Sequence, residues 1–301
     1  MSVRFKLLII VAFVALLPLG FLAYTTLGLH QEALRRKVSE VHVRSAKYGA
    51  TLVETSLERA VASLKPTIET NIDWAALSPA ELDGALWLLK GQLPAIVQIA
   101  LIDDAGRVDP ALALPPSAAG SALASPEGLR LLAAGISAPR VIERGFARGS
   151  PLQLPGSERL LLPVGFRITR GGGQHVLMIA LDLAQPCDEL IQDRPDHTQV
   201  LLVEANQRTL CAFPPREVNV PLEPALAAQL SSGQRASLRY RRADGTEMLA
   251  AAASTPWGFR VVVAQPLKAA FAASARMRLE SVVWLVVGAI SAVGAGLLLA
   301  R

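Results

Sequence analysis

Residues 93–107 read Leu93-Pro94-Ala95-Ile96-Val97-Gln98-Ile99-Ala100-Leu101-Ile102-Asp103-Asp104-Ala105-Gly106-Arg107. The apolar run Ala95 to Ile102 has strand length and stops at acids and a glycine suited to a tight turn, so a β-hairpin is expected here. Further along, the arrangement returns. Gln199 to Glu204 is again a short apolar strand, and Glu204-Ala205-Asn206-Gln207-Arg208 stands where Asp103-Asp104-Ala105-Gly106-Arg107 stood. Two loosely similar α+β modules are implied.

Working outward from the first hairpin, Ser78-Pro79-Ala80-Glu81 opens a helix with a cap, a proline in the first turn and an early acid, followed by the apolar face Leu82, Ala85, Leu86 and Leu89. Pro110 to Ser125, rich in Pro, Ala and Ser, reads as a surface loop before a short helix at Pro126 to Ala134. Strands are expected at Val141–Ala147, Arg159–Ile168 and His175–Leu183, with Arg170-Gly171-Gly172-Gly173 as a hairpin turn, because its spacing is not that of a phosphate loop. In the second module a helix at Glu223 to Leu230 precedes strands Ala236–Arg242, Glu247–Ser254 and Phe259–Gln265, and an amphipathic helix follows from Leu267 to Leu279.

The chain has 301 residues, 51% hydrophobic and 18% charged, with a mean hydropathy of +0.37. That balance excludes intrinsic disorder. The apolar excess sits at the ends, in Leu7 to Leu29 and Ser281 to Ala300, and about 20 apolar residues span a bilayer. A cleaved signal peptide is the rival for the first run, but that run is longer than a signal core and lacks a clear small-residue cleavage step. Arg4 and Lys6 are expected to place the N-terminus in the cytoplasm and the middle domain outside, in a two-pass membrane protein. Arg35, Arg36, Lys37, Arg276 and Arg278 stand against that orientation, although long translocated domains obey such charges weakly. The net charge of +5 is scattered and partly juxtamembrane, so anionic lipid is a simpler partner than nucleic acid.

Leu34, Val38, Val41, Ser45, Tyr48 and Leu52 follow a 4, 3, 4, 3, 4 spacing, an a/d seam that would pair two copies or pack on its own domain. Gly288, Ala292 and Gly296 give the second span one small face for close helix approach. Both features point to a homodimer.

The order and spacing of residues 93–107, Val176-Leu177-Met178-Ile179-Ala180-Leu181-Asp182-Leu183, Val200 to Asn206, and Trp257-Gly258-Phe259-Arg260-Val261-Val262-Val263-Ala264-Gln265-Pro266 resemble the double Cache sensor domains of bacterial membrane receptors, over residues 30 to 280. The resemblance implies an α+β fold: a long N-terminal helix carrying two PAS-like modules with antiparallel sheets between two transmembrane helices. It divides the chain into a cytoplasmic start (1–6), a first span (7–29), a stalk helix (30–77), a membrane-distal module (78–185), a membrane-proximal module (186–266), a connecting helix (267–280) and a second span (281–300). It also implies an extracytoplasmic sensor of a small molecule, a carboxylate or amine, bound in the distal module. The alternative is a periplasmic scaffold that uses the same fold without a ligand. No HAMP linker, kinase, cyclase or methyl-accepting segment is expected after the second span, so output is expected from a separate cytoplasmic or membrane protein, unless the frame is a truncated receptor.

The family's amino-acid-binding subset carries an Arg-x-Trp-Tyr run, which is missing here; Arg140, Glu143, Arg144, Phe146 and Arg148 stand in the corresponding strand. Asp182 matches the family's aspartate for a ligand amino group. Arg144 and Arg148, i and i+4 on the expected strand, would share a face and hold a carboxylate or phosphate, or else are solvated charges. The candidate ligand residues are therefore Arg144, Phe146, Arg148 and Asp182. Trp87 and Trp257 line a pocket or pack in the core.

Cys187 and Cys211 would be bridged in an oxidising compartment, closing a loop worth roughly 3 kcal/mol, or are two buried thiols. With Asp188 and His197 they lack the short ligand pairs of structural zinc, so no metal is expected. No cofactor and no enzyme activity are expected either: there is no G-x-S-x-G elbow, H-E-x-x-H, Walker loop or dinucleotide fingerprint, and His30, His42, His175 and His197 lie far apart in sequence.

Overall fold

A computed structural model describes residues 3–114, 125–154, 159–192, 198–213, 220–231, 237–272 and the scattered positions 280, 283–284, 286–288, 290–291 and 294; side chains of 3–20, 22–24, 26–27, 30–31, 35 and 109–111 are not described. The fold is α+β, with a long N-terminal helix and two antiparallel sheets.

Helix α1 (Val3–Pro66) runs without a break at the expected start of a stalk, and a five-residue π-helical turn, Thr67–Asn71, ends it. Among its described side chains, His42, Ala46, Ala50, Val53, Leu57 and Leu64 are buried together with Gly49, a stripe at helical spacing. Val41 and Tyr48 of the expected seam are 46% and 55% exposed, on a different face. The turn after α1 is held by the buried Trp74, whose Nε1 donates to the Ile68 carbonyl at 2.7 Å, and by Gln92 donating to the Thr67 hydroxyl at 2.8 Å.

Helix α2 (Pro79–Gln92) starts with the expected reciprocal cap: the Ser78 hydroxyl accepts from the Glu81 N–H while the Glu81 carboxylate accepts from the Ser78 N–H. The Ser78 hydroxyl also donates to that carboxylate at 2.6 Å, and this bond, then the backbone one, holds the Glu81 carboxyl below its usual range.

The first sheet comprises β1 (Ile96–Ile102), β2 (Val108–Leu114), β3 (Phe146–Arg148), β4 (Leu152–Gln153), β5 (Leu160–Arg170) and β6 (Gly173–Asp182) in the order β2-β1-β6-β5-β3, with β4 also on β5. Part of the expected loop at Pro110 is thus strand. Pro110 has no N–H to give, and β2 is an edge strand, where that donor is not needed. Residues 115–124 of that expected loop lie outside the described residues. The β5–β6 hairpin keeps register from Leu161↔Asp182 to Arg170↔Gly173, turning at Gly171 and Gly172, whose φ values of +56° and +80° suit glycine. Between β2 and β3 come α3 (Pro126–Ala134) and α4 (Ala138–Arg144).

After α5 (Ala184–Gln192), the second sheet is built of β7 (Gln199–Glu204), β8 (Arg208–Phe213), β9 (Val220–Pro221), β10 (Ser237–Arg241), β11 (Glu247–Ser254) and β12 (Phe259–Pro266), in the order β10-β11-β12-β7-β8-β9. Helix α6 (Pro224–Ser231) lies between β9 and β10 in sequence, and α7 (Leu267–Ala270) follows β12. The repeated turn is visible in the backbone. The Gly106 N–H donates to the Asp103 carbonyl at 3.0 Å, and the Gln207 N–H to the Glu204 carbonyl at 2.9 Å. Gln207 takes the positive φ (+65°) that glycine takes in the first copy, and its amide donates to the Ser231 hydroxyl at 2.6 Å.

Cys187 of α5 and Cys211 of β8 form a disulfide, with Cα atoms 6.1 Å apart. Phe166 and Phe259 are the largest fully buried side chains, each worth about 1.5–3 kcal/mol of burial.

By compactness the chain divides into two units, one of residues 1–44, 234–251 and 264–301, the other of 45–233 and 252–263. In the first, β10 pairs β11 from Ser237↔Ala251 to Arg241↔Glu247, and His42 Nε2 lies 3.2 Å from Gln265 Oε1. The second contains the whole first sheet with α3 to α6. Among the residues whose side chains are described, no helix is long and apolar enough to cross a membrane. Most of the expected second span, with Ala292 and Gly296 of its small face, lies outside the described residues, as do residues 273–279 of the expected connecting helix.

Candidate functional site

One face of the first sheet is defined by register: Gln98, Ala100 and Ile102 of β1, Val176, Met178, Ala180 and Asp182 of β6, and Leu161, Pro163, Gly165 and Arg167 of β5. Helices α3 and α4 cover it. Their Leu129, Leu132, Ala138 and Val141, with Ile136 of the link between them, pack on Ala100, Ile102, Leu161, Val176, Met178 and Ala180 as one buried apolar cluster. Glycines permit this closeness: a Cβ on Gly165 would stand 2.9 Å from Val141 Cγ2, and one on Gly149 would collide with the Gly135 carbonyl. Arg167 ties β5 to α4 by donating to the Ile142 carbonyl at 2.9 Å. Gln98 is the polar exception in β1. It is fully buried, its amide nitrogen lies 3.5 Å from the Ile99 carbonyl, and its Oε1 has no partner among the described residues.

At the margin of this packed layer lies a cavity of about 810 Å³ between the β1–β2 turn and α3 with α4. Val108, Leu129, Ala133, Ile136 and Ala138 give it apolar walls, and Asp104, Arg107, Arg130 and Ser137 contribute polar groups. Asp103 anchors the turn: its carboxylate accepts the Arg107 N–H at 2.7 Å and the Arg107 Nε–H at 2.9 Å. That backbone bond, opposed by desolvation and helped by the guanidinium, holds the Asp103 carboxyl below its usual range. Ser137 precedes α4 without making a capping side-chain bond. Apolar walls with a few convergent polar groups of both charge signs are what a small-molecule site requires, and the volume falls in the usual range of about 300–1,000 Å³.

The candidate ligand residues are placed elsewhere. Arg144 and Arg148 do not share a strand face: Arg144 is the exposed last residue of α4, and Arg148 is on β3. Helix signals prevail over the β-branched pair Val141-Ile142, since Ser137 and Pro139 start α4 and Gly145 stops it at φ +81°, donating to the Val141 carbonyl at 2.8 Å. Phe146 meets Phe166 in a tilted contact and Trp257 edge to face, ring centres 5.1 and 6.3 Å away. Arg148 lies over the Phe259 ring; burial lowers its pKa, and the charge of Glu204 partly restores it. Asp182 accepts the Ala184 N–H at 2.9 Å at the start of α5, with Arg159 Nε 3.9 Å from its other oxygen. None of the four lines the cavity. Trp257 is buried and Trp87 is half exposed, beneath Lys90.

Asp104, Arg107, Arg130 and Ser137 are the site residues that sequence reasoning passed over; they come from a turn, from α3 and from the start of α4, and no local pattern joins them.

No protein-family model matches the chain, and no characterised protein matches it by sequence. Solved structures do. The periplasmic sensory domain of the Campylobacter jejuni chemoreceptor Tlp1 superposes with a TM-score of 0.58 at 14% identity, over 79% of this chain and 98% of that one. The ligand-binding domain of the Pseudomonas aeruginosa PAO1 amino acid chemoreceptor PctB, in complex with L-Arg, gives 0.57 at 13% identity, over 80% and 93%. The extracellular domain of the putative histidine kinase soHK1S-Z6 gives 0.52 at 15%, over 81% and 99%. The chain therefore has the fold of the extracytoplasmic sensory domains of chemoreceptors and histidine kinases, the double Cache fold.

Proposed function

We propose that this protein is a membrane-anchored extracytoplasmic sensor whose small ligand occupies the cavity between the β1–β2 turn and helices α3 and α4. The observation that carries the reading is that cavity itself, of ligand size, apolar-walled and bordered by Arg107, Arg130, Asp104 and Ser137. Its mixed charges suit a carboxylate or a zwitterion with an amine. Residues 78–185 are taken as the distal module and 186–266 as the proximal one.

The anchors are Leu7–Leu29 and Ser281–Ala300, proposed from their apolar length. Helix α1 leads from the first anchor into the domain without a break. Leu34, Val38, Val41, Tyr48 and Leu52, away from the buried stripe of α1, are the proposed homodimer seam, and a separate output protein meets the spans or their cytoplasmic ends. Signalling requires that the ligand bind two conformations with different affinity.

The test is a thermal-shift screen of the full chain in detergent micelles against amino acids, small carboxylates and amines. A saturable rise for one class, lost in Arg130→Ala and Arg107→Ala, supports the sensor. A folded protein that responds to none of them rejects it. The second reading, a periplasmic scaffold, is favoured by the apolar filling of the sheet face and by Trp87 and Leu88, which α2 exposes side by side.

A further inference from the structure

We propose that the turn end of the first sheet binds a small oxyanion, held by the guanidinium of Arg170 with His175 beside it, at a site that shares Arg107 with the cavity above but does not rest on the sensor reading. A second cavity, of about 240 Å³, opens where the β5–β6 hairpin meets the β1–β2 turn, bordered by Asp103, Arg107, Arg170 and His175 over Leu101 and Leu112. Arg170 is the last paired residue before the Gly171-Gly172 turn, so a two-residue hairpin of fixed register sets its backbone.

The Nε–H of Arg170 is shut off from solvent and has no hydrogen-bond partner among the described residues. An unmatched buried donor is costly, more so on a charged group. The nearby Asp103 carboxylate accepts from the backbone and the Nε of Arg107 and makes no bond to the Arg170 Nε. Among the described residues, two guanidinium groups and one carboxylate border this cavity, an excess of positive charge. His175 adds a ring whose Nδ1 lies 3.4 Å from the Gly173 carbonyl. The group that suits a guanidinium on the wall of a cavity with excess positive charge is an acceptor with two adjacent oxygens, which phosphate and carboxylate groups both present.

The experiment measures the melting temperature of the full chain in detergent micelles against inorganic phosphate and, in a parallel arm, succinate, with ionic strength held constant by chloride. A saturable rise in at least one arm, abolished in Arg170→Gln with an unchanged far-ultraviolet spectrum and retained in Arg130→Gln, is the expected result; which arm responds tells phosphate from carboxylate. Retention in Arg130→Gln keeps this outcome distinct from the fate of the larger cavity. No saturable response in either arm, or a response undiminished in Arg170→Gln, overturns the proposal. Should Arg170→Gln fail to fold, His175→Ala is expected to weaken binding at least five-fold, and unchanged binding in that variant overturns the proposal equally.

Discussion

The guanidinium carbon of Arg148 lies 5.3 Å from the centre of the Phe259 ring, and Gly258, with φ +72°, leaves the space in which that guanidinium sits. A cation over an aromatic face is worth about 0.5–2 kcal/mol depending on its exposure. Arg148→Ala is therefore expected to lower stability by about 1–2 kcal/mol. Gly258→Ala should cost at least about 1 kcal/mol, since it combines a positive φ with a clash against Arg148. In the double variant the clash has no partner, so the two costs should add to less than their sum by about 0.5 kcal/mol or more. Chemical denaturation followed by tryptophan fluorescence measures all three, and strict additivity would show that the two residues are not coupled.

Gly49 of α1 is a second close approach. A Cβ there would stand 2.6 Å from Leu190 Cδ1 and 3.0 Å from Val261 Cγ1. Gly49→Ala is expected to cost about 1–3 kcal/mol through overpacking. Combining it with Leu190→Ala should recover part of the loss, which equilibrium unfolding of the two single variants and the double variant will measure.

The Cys187–Cys211 bridge spans 24 residues, and closing a loop of that length constrains the unfolded chain by about 3 kcal/mol. Reduction is expected to lower Tm by about 6–12 °C at the two to four degrees per kcal/mol usual for this size. The Cys187→Ser/Cys211→Ser variant should show the same lower Tm and no further response to reductant.

His42 is buried with Nδ1 lacking a partner among the described residues, and desolvation lowers its pKa, partly opposed by the bond to Gln265. A lowered folded pKa means that the unfolded chain takes up the proton first. The stability contributed by neutral His42 is then complete above about pH 6.5 and is lost as the pH falls from there toward the folded value. Melting between pH 7.5 and 5 should show a decline that is shallower in His42→Gln; equal slopes would remove the assignment.

Much of this fold is legible in sequence because it is written in short-range chemistry. Ser78 and Glu81 announce α2, Gly245 announces the β10–β11 turn, and the apolar runs at 96–102 and 176–182 announce the two strands that meet at the centre of the first sheet. Helix α4 was hidden because Val141 and Ile142 look like strand, while the signals that decide the matter, Ser137, Pro139 and Gly145, flank them. The candidate site was less legible. Arg107 and Arg130 are separated by a strand and the start of α3 and converge only through packing, and Asp182, chosen by resemblance, serves as a cap. Long-range convergence leaves no local mark on the chain.

At Gly135 and Gly149 the chain touches itself backbone to backbone. Ser150 donates its N–H to the Gly135 carbonyl at 3.3 Å, and Gly149 donates to the Pro163 carbonyl at 2.8 Å, so main chain rests on main chain with no side chain between them to rotate and take up slack. A side chain at Gly149 would have to part these two backbones, so the link between α3 and α4 and the strand that carries Arg148 meet at a joint that admits no Cβ.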